Sequence, residues 1–238
     1  FIRFLEMNHE KNIITHSKKS LLRYIFFCCP SLFYNNNNSK TLVGEFDLGP
    51  PLPYDAIGFD KGKFKKTLIL DLDETLVYSS LTPFAVKKCD FSIKFSVGSN
   101  NLIYESYVLK RPGLDDFLNY VKEKFEVAIF TASMKEYADA VINVIAPWIP
   151  VSHRFYRHHC SQINGIFIKD LSKFNRPINS IILVDDSNVA LMINRSNVIT
   201  ISSWFGEAND RELERMTQQI LSKLDSVDDV RSAIRKLI

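Results

Sequence analysis

The chain has 238 residues, of which 46% are hydrophobic and 24% are charged, and this composition is typical of one soluble globular domain with extensions. Its length is sufficient to bury a sizeable core. The formal net charge of +3 is nearly balanced, so it argues neither for nor against a nucleic-acid partner. The 4 cysteines contain no CxxC repeat, so they give no zinc-binding pattern, and we expect reduced intracellular thiols.

The first 48 residues differ in character from the rest of the chain. Basic residues flank an apolar patch at residues 24–34, which is too short to span a bilayer and is interrupted by Pro30. Two interpretations stay open. Either Cys28 and Cys29 are reversibly acylated and the segment makes peripheral membrane contact, or the segment is a disordered tail.

Residues 49–62 form a proline-rich lead-in, and we expect the folded domain to cover residues 63–238. Three continuous apolar runs predict parallel strands that are buried on both faces, at residues 67–70, 127–130 and 181–184. Helical spacing of apolar residues predicts two helices between the first and third strands, from about residue 114 and about residue 137. Residues 91–109 alternate like a hairpin or small meander, with residues 98–101 as the turn. A last stripe predicts a core-packed helix at Leu213, Met216, Ile220 and Leu224.

Polar side chains follow each predicted strand. The first strand is followed by Asp71 and Asp73, the second by Thr131 and Ser133, and the third by Asp185 and Asp186. In open α/β sheets ligands bind at the carboxyl ends of the strands, so these side chains are expected to meet at one edge. Any one of them could instead be a helix cap. Four carboxylates in one crevice require a cation, and oxygen ligands at this density suit Mg²⁺. A calcium loop is excluded, because its sixth and twelfth positions are Leu76 and Thr82.

Several short stretches carry a family resemblance. They are "LDLDETLV", "YVLKRPGLDDFL", "FTAS" followed by "KEYAD", "HRFYRHHC", "IKDLS", "ILVDDS" and "SWFGEANDRELERM". With these stretches, which run from about residue 50 to residue 237, the chain resembles the haloacid dehalogenase superfamily. More closely it is similar to the FCP/SCP-type, NLI-interacting-factor-like small C-terminal-domain phosphatases. The resemblance implies an α/β fold with a Rossmann-like, doubly wound, mostly parallel sheet, a small β insertion and no large cap domain.

The resemblance also implies roles for four catalytic residues. Asp71 would attack phosphorus, giving an aspartyl-phosphate, and a carboxylate needs no base for this. Asp73 would act as acid and then as base. Its acid role requires a raised pKa, which we expect crowding among carboxylates to supply. Thr131 would hold a phosphoryl oxygen, and Lys169 would be the cation beside the aspartyl-phosphate.

The implied metal is Mg²⁺, held by Asp71, the backbone carbonyl of Asp73, and the acid pair. By position Asp186 is expected to be the direct ligand, and Asp185 to bind through water or to orient the site. This division stays open. Thr75 is expected to support the nucleophile.

The implied substrate residues are Arg157, which would contact a second phosphate, and Leu81, Phe95 and Val97. The last three would form an apolar pocket for a proline beside phosphoserine in the RNA polymerase II tail. Ordinary hairpin packing is the alternative for this trio, and a solvated surface arginine is the alternative for Arg157.

The sequence thus predicts a Mg²⁺-dependent phosphoserine/threonine protein phosphatase acting on that tail or similar proline-containing segments. The short segment between Thr131 and Lys169 leaves no space for a cap, which favours a protein substrate. The alternatives are a phosphatase of small metabolites and a phosphopeptide-binding scaffold. We expect a monomer whose partner is a phosphorylated protein tail, with no direct contact to nucleic acid. The expected location is nuclear or cytoplasmic, or membrane-associated if Cys28 and Cys29 are acylated.

Overall fold

The computed structural model describes residue 64 and residues 66–85, 88–97, 102–163 and 166–238. The N-terminal extension with Cys28 and Cys29, almost all of the lead-in and the hairpin turn at residues 98–101 lie outside the described residues. Within the described residues, no helix has the length and apolarity needed to cross a membrane.

The strands are, in chain order, β1 (Thr67–Leu70), β2 (Val77–Ser80), β3 (Phe91–Val97), β4 (Leu102–Lys110), β5 (Glu126–Phe130), β6 (Arg154–Phe155), β7 (Ser161–Ile163), β8 (Ile166–Ile168), β9 (Ile181–Asp185) and β10 (Val198–Thr200). The α-helices are α1 (Leu114–Lys124), α2 (Lys135–Ile145), α3 (Leu191–Asn194), α4 (Glu212–Arg215) and α5 (Val230–Leu237). A π-helical turn, Met216–Ile220, and a 3₁₀ turn, Leu221–Lys223, continue α4.

Five parallel strands form the central sheet in the order β10-β9-β1-β5-β6. The central strand β1 pairs with both β5 and β9, so that Leu70 lies opposite Ile129 and Val184. Every residue of β1, β5 and β9 is buried, because side chains cover both faces of the sheet. The three predicted strands are confirmed, with Glu126 and Asp185 added at one end of β5 and β9. The predicted α/β class with a mostly parallel sheet is also confirmed.

Alternate residues of β1 point to two different hydrophobic layers, as a strand requires. Leu68 and Leu70 join the larger layer, to which α1, α2 and the C-terminal helical segment contribute. Ile69 joins the smaller layer on the other face, beside Phe155 and Leu171. The stripe from Leu213 to Leu224 is fully buried in the larger layer, which confirms its predicted core role.

An antiparallel sheet of β2, β4 and β3 is inserted after β1. The predicted hairpin corresponds to β3 and β4, whose register pairs Phe91 with Val108. The sequence pattern did not predict β2, which adds to the other side of β4. The described residues between Thr131 and Lys169 comprise α2, short turns, β6 and the small β7–β8 hairpin, so this segment contains no large cap domain.

Candidate active site

The carboxyl end of β1 places Asp71 at the centre of the site. Its backbone N–H donates to the carbonyl of Val184 over 2.9 Å, which extends the β1–β9 pairing by one residue and fixes the backbone. The side chain is buried, and its Oδ1 lies 2.6 Å from Nζ of Lys169. The structure therefore brings the predicted nucleophile and the predicted cation into direct contact.

Lys169 bridges two strand ends, because its Nζ also lies 2.7 Å from Oδ2 of Asp185, the last residue of β9. The side-chain amide of Asn194 donates to the backbone carbonyl of Lys169 over 2.6 Å and holds this position. Burial favours the neutral amine, but the carboxylates of Asp185 and Asp71 outweigh burial and raise the pKa of Lys169. This ammonium group is therefore firmly charged.

The acid pair after β9 is held by separate partners. Asp185 accepts a hydrogen bond from the backbone N–H of Ser187 over 2.8 Å. Asp186 accepts hydrogen bonds from Thr75 Oγ1 at 3.2 Å and from Ser203 Oγ at 2.7 Å. The Thr75 hydroxyl thus contacts Asp186, and its expected support of the nucleophile stays a prediction.

One carboxylate oxygen each from Asp71, Asp185 and Asp186 lies within 4.8 Å of the other two. Burial raises the pKa of Asp71 well above its usual value; Lys169 opposes this shift, and the charges of Asp185 and Asp186 add to it. Three carboxylates thus face one ammonium group, and hard oxygen donors in this number fit a divalent cation such as Mg²⁺. A cation would relieve the negative charge that disfavours ionisation of Asp71.

Asp73 is held apart from this group by three hydroxyl side chains. Ser133 Oγ donates to Oδ2 and Tyr137 OH donates to Oδ1, each over 2.6 Å, while Thr131 Oγ1 lies 3.5 Å from Oδ2. Burial raises the pKa of Asp73, although the hydrogen bonds from Ser133 and Tyr137 oppose the shift. The expected direction is confirmed, but burial is the main cause and crowding by Asp186 is a minor one.

Tyr137 is a site residue that the sequence pattern assigned only to the core. Its ring belongs to the buried stripe of α2, and its hydroxyl lies 2.6 Å from Ser79 Oγ on β2. Since the phenol proton points to Asp73, Ser79 donates to the phenol oxygen. Ser133 was noted only as a polar residue after the second strand. A tyrosine in the first turn of the helix that follows this strand, among otherwise aliphatic stripe positions, is the signal that could have identified the contact between Tyr137 and Asp73.

The loop between Asp73 and β2 has a constrained backbone. Glu74 is the one non-glycine residue with positive φ among the described residues, at 61°. Its N–H donates to Val77 O over 2.7 Å, and its carbonyl accepts from the N–H of Trp204 over 2.8 Å. Burial, together with the charges of Asp186 and Asp73, raises the pKa of Glu74 to about 7.

Arg111 donates to the backbone of this loop. The sequence pattern did not identify it as a site residue. Its guanidinium is fully buried and forms a two-point contact with Asp210, with both N–O distances 2.8 Å. A third nitrogen donates to the carbonyl of Thr75 over 3.1 Å. The arginine of the "KRPG" stretch thus ties the loop after Asp73 to the segment before α4. An arginine beside a proline at the end of a strand was the available sequence signal.

The Arg157 side chain packs on the loop that carries Ser133 and does not extend freely into solvent. Its N–H donates to Ser133 O over 3.0 Å, its Nε donates to Ala132 O over 2.7 Å, and its guanidinium lies 5.2 Å from the ring centroid of Phe167. The half-buried arginine is therefore fixed to the loop that carries Ser133. Its contact with a second phosphate stays a prediction.

The three residues of the predicted apolar pocket are all associated with the larger hydrophobic layer. Phe95 is buried in it, while Leu81 and Val97 are partly exposed and pack against it. The rings of Phe95 and Tyr137 are 5.6 Å apart between centroids. This arrangement places Phe95 beneath a residue that contacts Asp73, and the binding role of the trio stays a prediction.

Comparison with known proteins identifies the class. The sequence pattern described as "NLI interacting factor-like phosphatase" matches residues 66–231, and the chain therefore belongs to this family. The relative "Probable C-terminal domain small phosphatase" of Dictyostelium discoideum is 39% identical over 198 residues, which are 83% of this chain and 61% of that protein. The mouse relative "CTD small phosphatase-like protein" is 35% identical, over 89% of this chain and 83% of its own length.

A solved structure agrees with this assignment at the level of the fold. The structure of Fcp1, described as an essential RNA polymerase II CTD phosphatase, matches with a TM-score of 0.51 and 21% identity, over 72% of this chain and 52% of that chain. The chain spans 61% of the Dictyostelium relative and 65% of the Drosophila relative "Phosphatase Herzog", less than two thirds of either.

Proposed function

We propose that this chain is a Mg²⁺-dependent phosphoserine/threonine protein phosphatase that works through an aspartyl-phosphate. Its proposed substrates are proline-containing phosphorylated tails, the RNA polymerase II tail among them. The single observation that carries the proposal is the division of the acids: Lys169 bridges Asp71 and Asp185, whereas hydroxyl groups hold Asp73 separately. One carboxylate is thereby placed with a cation and another with proton-donating neighbours.

In the proposed first step, an oxygen of Asp71 attacks phosphorus and the bond from phosphorus to the substrate oxygen breaks. The leaving serine or threonine oxygen takes a proton from Asp73. Lys169 stays beside Asp71 and offsets the charge on the phosphoryl oxygens, a contribution that dominates phosphoryl transfer. Thr131 Oγ1, at the same strand end as Ser133, is the proposed donor to a phosphoryl oxygen.

In the proposed second step, Asp73, now ionised, takes a proton from water, and the water oxygen displaces Asp71 from phosphorus. The buried position of Asp73 raises its pKa and supports the acid role in the first step. The hydrogen bonds from Ser133 and Tyr137 stabilise the ionised form, so the same carboxyl group can act in both steps.

The residues that would hold Mg²⁺ are Asp71, Asp185, Asp186 and the backbone carbonyl of Asp73. The first three have ligand oxygens close enough together for one ion. When bound, Mg²⁺ supplies positive charge that neutralises phosphoryl oxygens. Asp186 is the proposed direct ligand, because Oδ2 of Asp185 is paired with the charged Lys169, whereas Asp186 accepts from the neutral hydroxyls of Thr75 and Ser203.

The proposed substrate is a protein segment, because the described residues include no large cap that would enclose a small molecule. Arg157 is the proposed contact for a second phosphate, and Leu81, Phe95 and Val97 are the proposed surface for a proline. Relatives named as CTD small phosphatases support this choice. A monomer in the nucleus or cytoplasm suits such a substrate. Membrane attachment would depend on Cys28 and Cys29, which lie outside the described residues.

A substrate panel with purified full chain and Mg²⁺ tests the proposal. The panel contains phosphorylated polymerase-tail heptads, unrelated phosphopeptides and sugar phosphates, and the Asp71→Asn variant controls for contaminating activity. We expect kcat/KM on phosphopeptides to exceed that on sugar phosphates by at least about a hundredfold, the ratio that about 3 kcal/mol of additional binding supplies. Preference for sugar phosphates would establish a metabolite phosphatase, and binding without turnover would establish a scaffold. Either result would overturn the proposal.

A further inference from the structure

A partly exposed aromatic cluster lies beside the candidate active site and takes no part in the proposed chemistry. It consists of Tyr78 on β2, Phe84 and Phe205, and we call it the Tyr78 cluster. The ring centroid of Tyr78 lies 5.7 Å from that of Phe84 and 5.7 Å from that of Phe205. The Phe205 ring stands edge-on to Tyr78, at 86°, and Phe205 is 51% exposed. Adjoining aromatic side chains that are partly solvated form a candidate contact surface for a ligand.

Two connections place the Tyr78 cluster at the rim of the site. Tyr78 follows Val77, whose backbone pairs with Asp73. Phe205 lies two residues after Ser203, whose hydroxyl donates to Asp186 over 2.7 Å. The cluster thus lies on the order of 10 Å from the carboxylates, given the rise of an extended chain. A substrate segment seated in the site reaches this distance within about three residues of its phosphorylated side chain.

Two carboxylates, those of Glu74 and Glu207, act on the Tyr78 cluster. The exposed side chain of Glu207 accepts a hydrogen bond from the backbone N–H of Phe205 over 2.9 Å. This bond keeps the Glu207 carboxylate beside the cluster. After burial, the negative charges of Glu74 and Glu207 are the causes that raise the pKa of the Tyr78 hydroxyl. Aromatic faces next to carboxylates attract cations, since the ring quadrupole and the negative charge act in the same direction.

We propose that the Tyr78 cluster binds a lysine or arginine side chain of the phosphoprotein substrate, within about three residues of the phosphorylated serine or threonine. This inference rests on the proposed function and deepens it by adding a specificity rule. The aromatic faces hold the aliphatic stem and the cation, and Glu207 supplies the counter-charge.

The direct test is a set of matched phosphopeptides that bind to the full chain carrying Asp71→Asn, so that turnover does not interfere. One peptide series moves a single lysine through the three positions on each side of phosphoserine, and a second series has norleucine at the same places. Norleucine keeps the aliphatic stem and removes the charge. We expect Kd to be about fivefold lower for lysine at one or two of these positions, the ratio typical of one exposed cation–π contact.

Three variants then assign the preference to the cluster. Phe205→Ala and Phe205→Leu remove the aromatic face, the second while keeping an apolar side chain, and both should bring the lysine-to-norleucine ratio close to one. Glu207→Gln keeps the hydrogen-bond acceptor for Phe205 and removes the charge, so it should lower the ratio in part. The matched controls are Val151→Ala and Glu123→Gln. Both residues are exposed. Val151 precedes β6 and Glu123 precedes β5, so both lie near the amino ends of the strands, whereas the site lies at the carboxyl ends.

Equal affinity for lysine and norleucine at all six positions overturns the inference. A lysine preference that Phe205→Leu does not reduce also overturns it. The proposed function fails by a different result, the absence of phosphopeptide turnover by the unsubstituted chain. The kcat/KM ratio between the two peptide series, measured on that chain, provides an independent second readout of the cation preference.

Discussion

The phenol of Tyr137 donates a 2.6 Å hydrogen bond to Oδ1 of Asp73. This contact joins the hydrophobic stripe of α2 to the proposed acid, since the same ring packs against Phe95. Ser79 on β2 completes the arrangement through its contact with the phenol oxygen. Tyr137 therefore fixes one oxygen of Asp73, and Ser133 fixes the other.

Replacing this phenol tests the role of that contact. Tyr137→Phe keeps the ring and removes one hydrogen bond to a charged group, a loss of about 1.5–3 kcal/mol. We expect kcat on a phosphopeptide to fall by about tenfold to a hundredfold with little change in KM, because the acid loses its orientation. Tyr120→Phe, the same substitution on α1, should leave both constants unchanged. A normal kcat in Tyr137→Phe would show that Tyr137 only packs.

Removal of Mg²⁺ tests the use of the acid cluster. We expect chelation to abolish turnover, and added Mg²⁺ to raise the thermal midpoint of the unsubstituted chain, because an ion that binds only the native state stabilises it. Asp186→Asn should raise the Mg²⁺ concentration needed for half-maximal turnover and for half-maximal thermal stabilisation by at least about tenfold, as expected for loss of a charged ligand. A thermal midpoint that Mg²⁺ leaves unchanged would contradict a resident ion at this cluster.

The ion pair between buried Arg111 and half-buried Asp210 is expected to control stability. Arg111→Met leaves Asp210 without its partner and the carbonyl of Thr75 without a donor, and breaking such a pair costs about 3–5 kcal/mol. We expect that loss in the free energy of unfolding measured with urea. Arg211→Met is the control, because its pair with Glu214 is largely exposed and should change stability by less than about 1 kcal/mol. Equal effects of the two substitutions would contradict the account.

The same pair gives a pH dependence with a definite sign. Burial raises the pKa of Asp210, but the hydrogen bonds from Arg111 and from the N–H of Glu212 outweigh burial and lower it below 3.8. A carboxyl group with a lowered native pKa contributes stability that is complete above its unfolded pKa and is lost as pH falls through the native one. The stability advantage of the unsubstituted chain over Asp210→Asn should therefore shrink as pH falls below about 4. A constant difference from neutral pH to pH 2 would contradict the assigned pKa shift.

Strand ends were the part of the site that the sequence predicted well. A continuous apolar run that ends in polar residues marks a buried parallel strand and its functional edge together, so Asp71 and Asp185 followed from pattern alone. Lys169 did not, because no long apolar run precedes it and its role came from family resemblance. Its position beside Asp71 depends on the small β7–β8 hairpin, which leaves little periodic signal.

The missed features have a common physical reason. Tyr137 has the spacing of a core stripe, and periodicity does not distinguish a ring that only packs from one whose hydroxyl also reaches a carboxylate. Arg111 is charged, and charged side chains are seldom fully buried, so pattern alone does not predict that its partner Asp210 lies 99 residues further on. The hydrogen bond from Thr75 to Asp186 joins residues 111 positions apart, so sequence pattern alone does not predict it.

The central claim is that Asp71 carries the phosphoryl group during turnover. Acid quench of the full chain during turnover of a phosphopeptide with Mg²⁺, followed by mass spectrometry of its proteolytic fragments, tests this claim directly. We predict a phosphoryl adduct on Asp71 that hydroxylamine removes. The folded Asp71→Asn variant should form no adduct but should still bind the phosphopeptide. An adduct on another residue, or retained turnover in Asp71→Asn, would contradict the account.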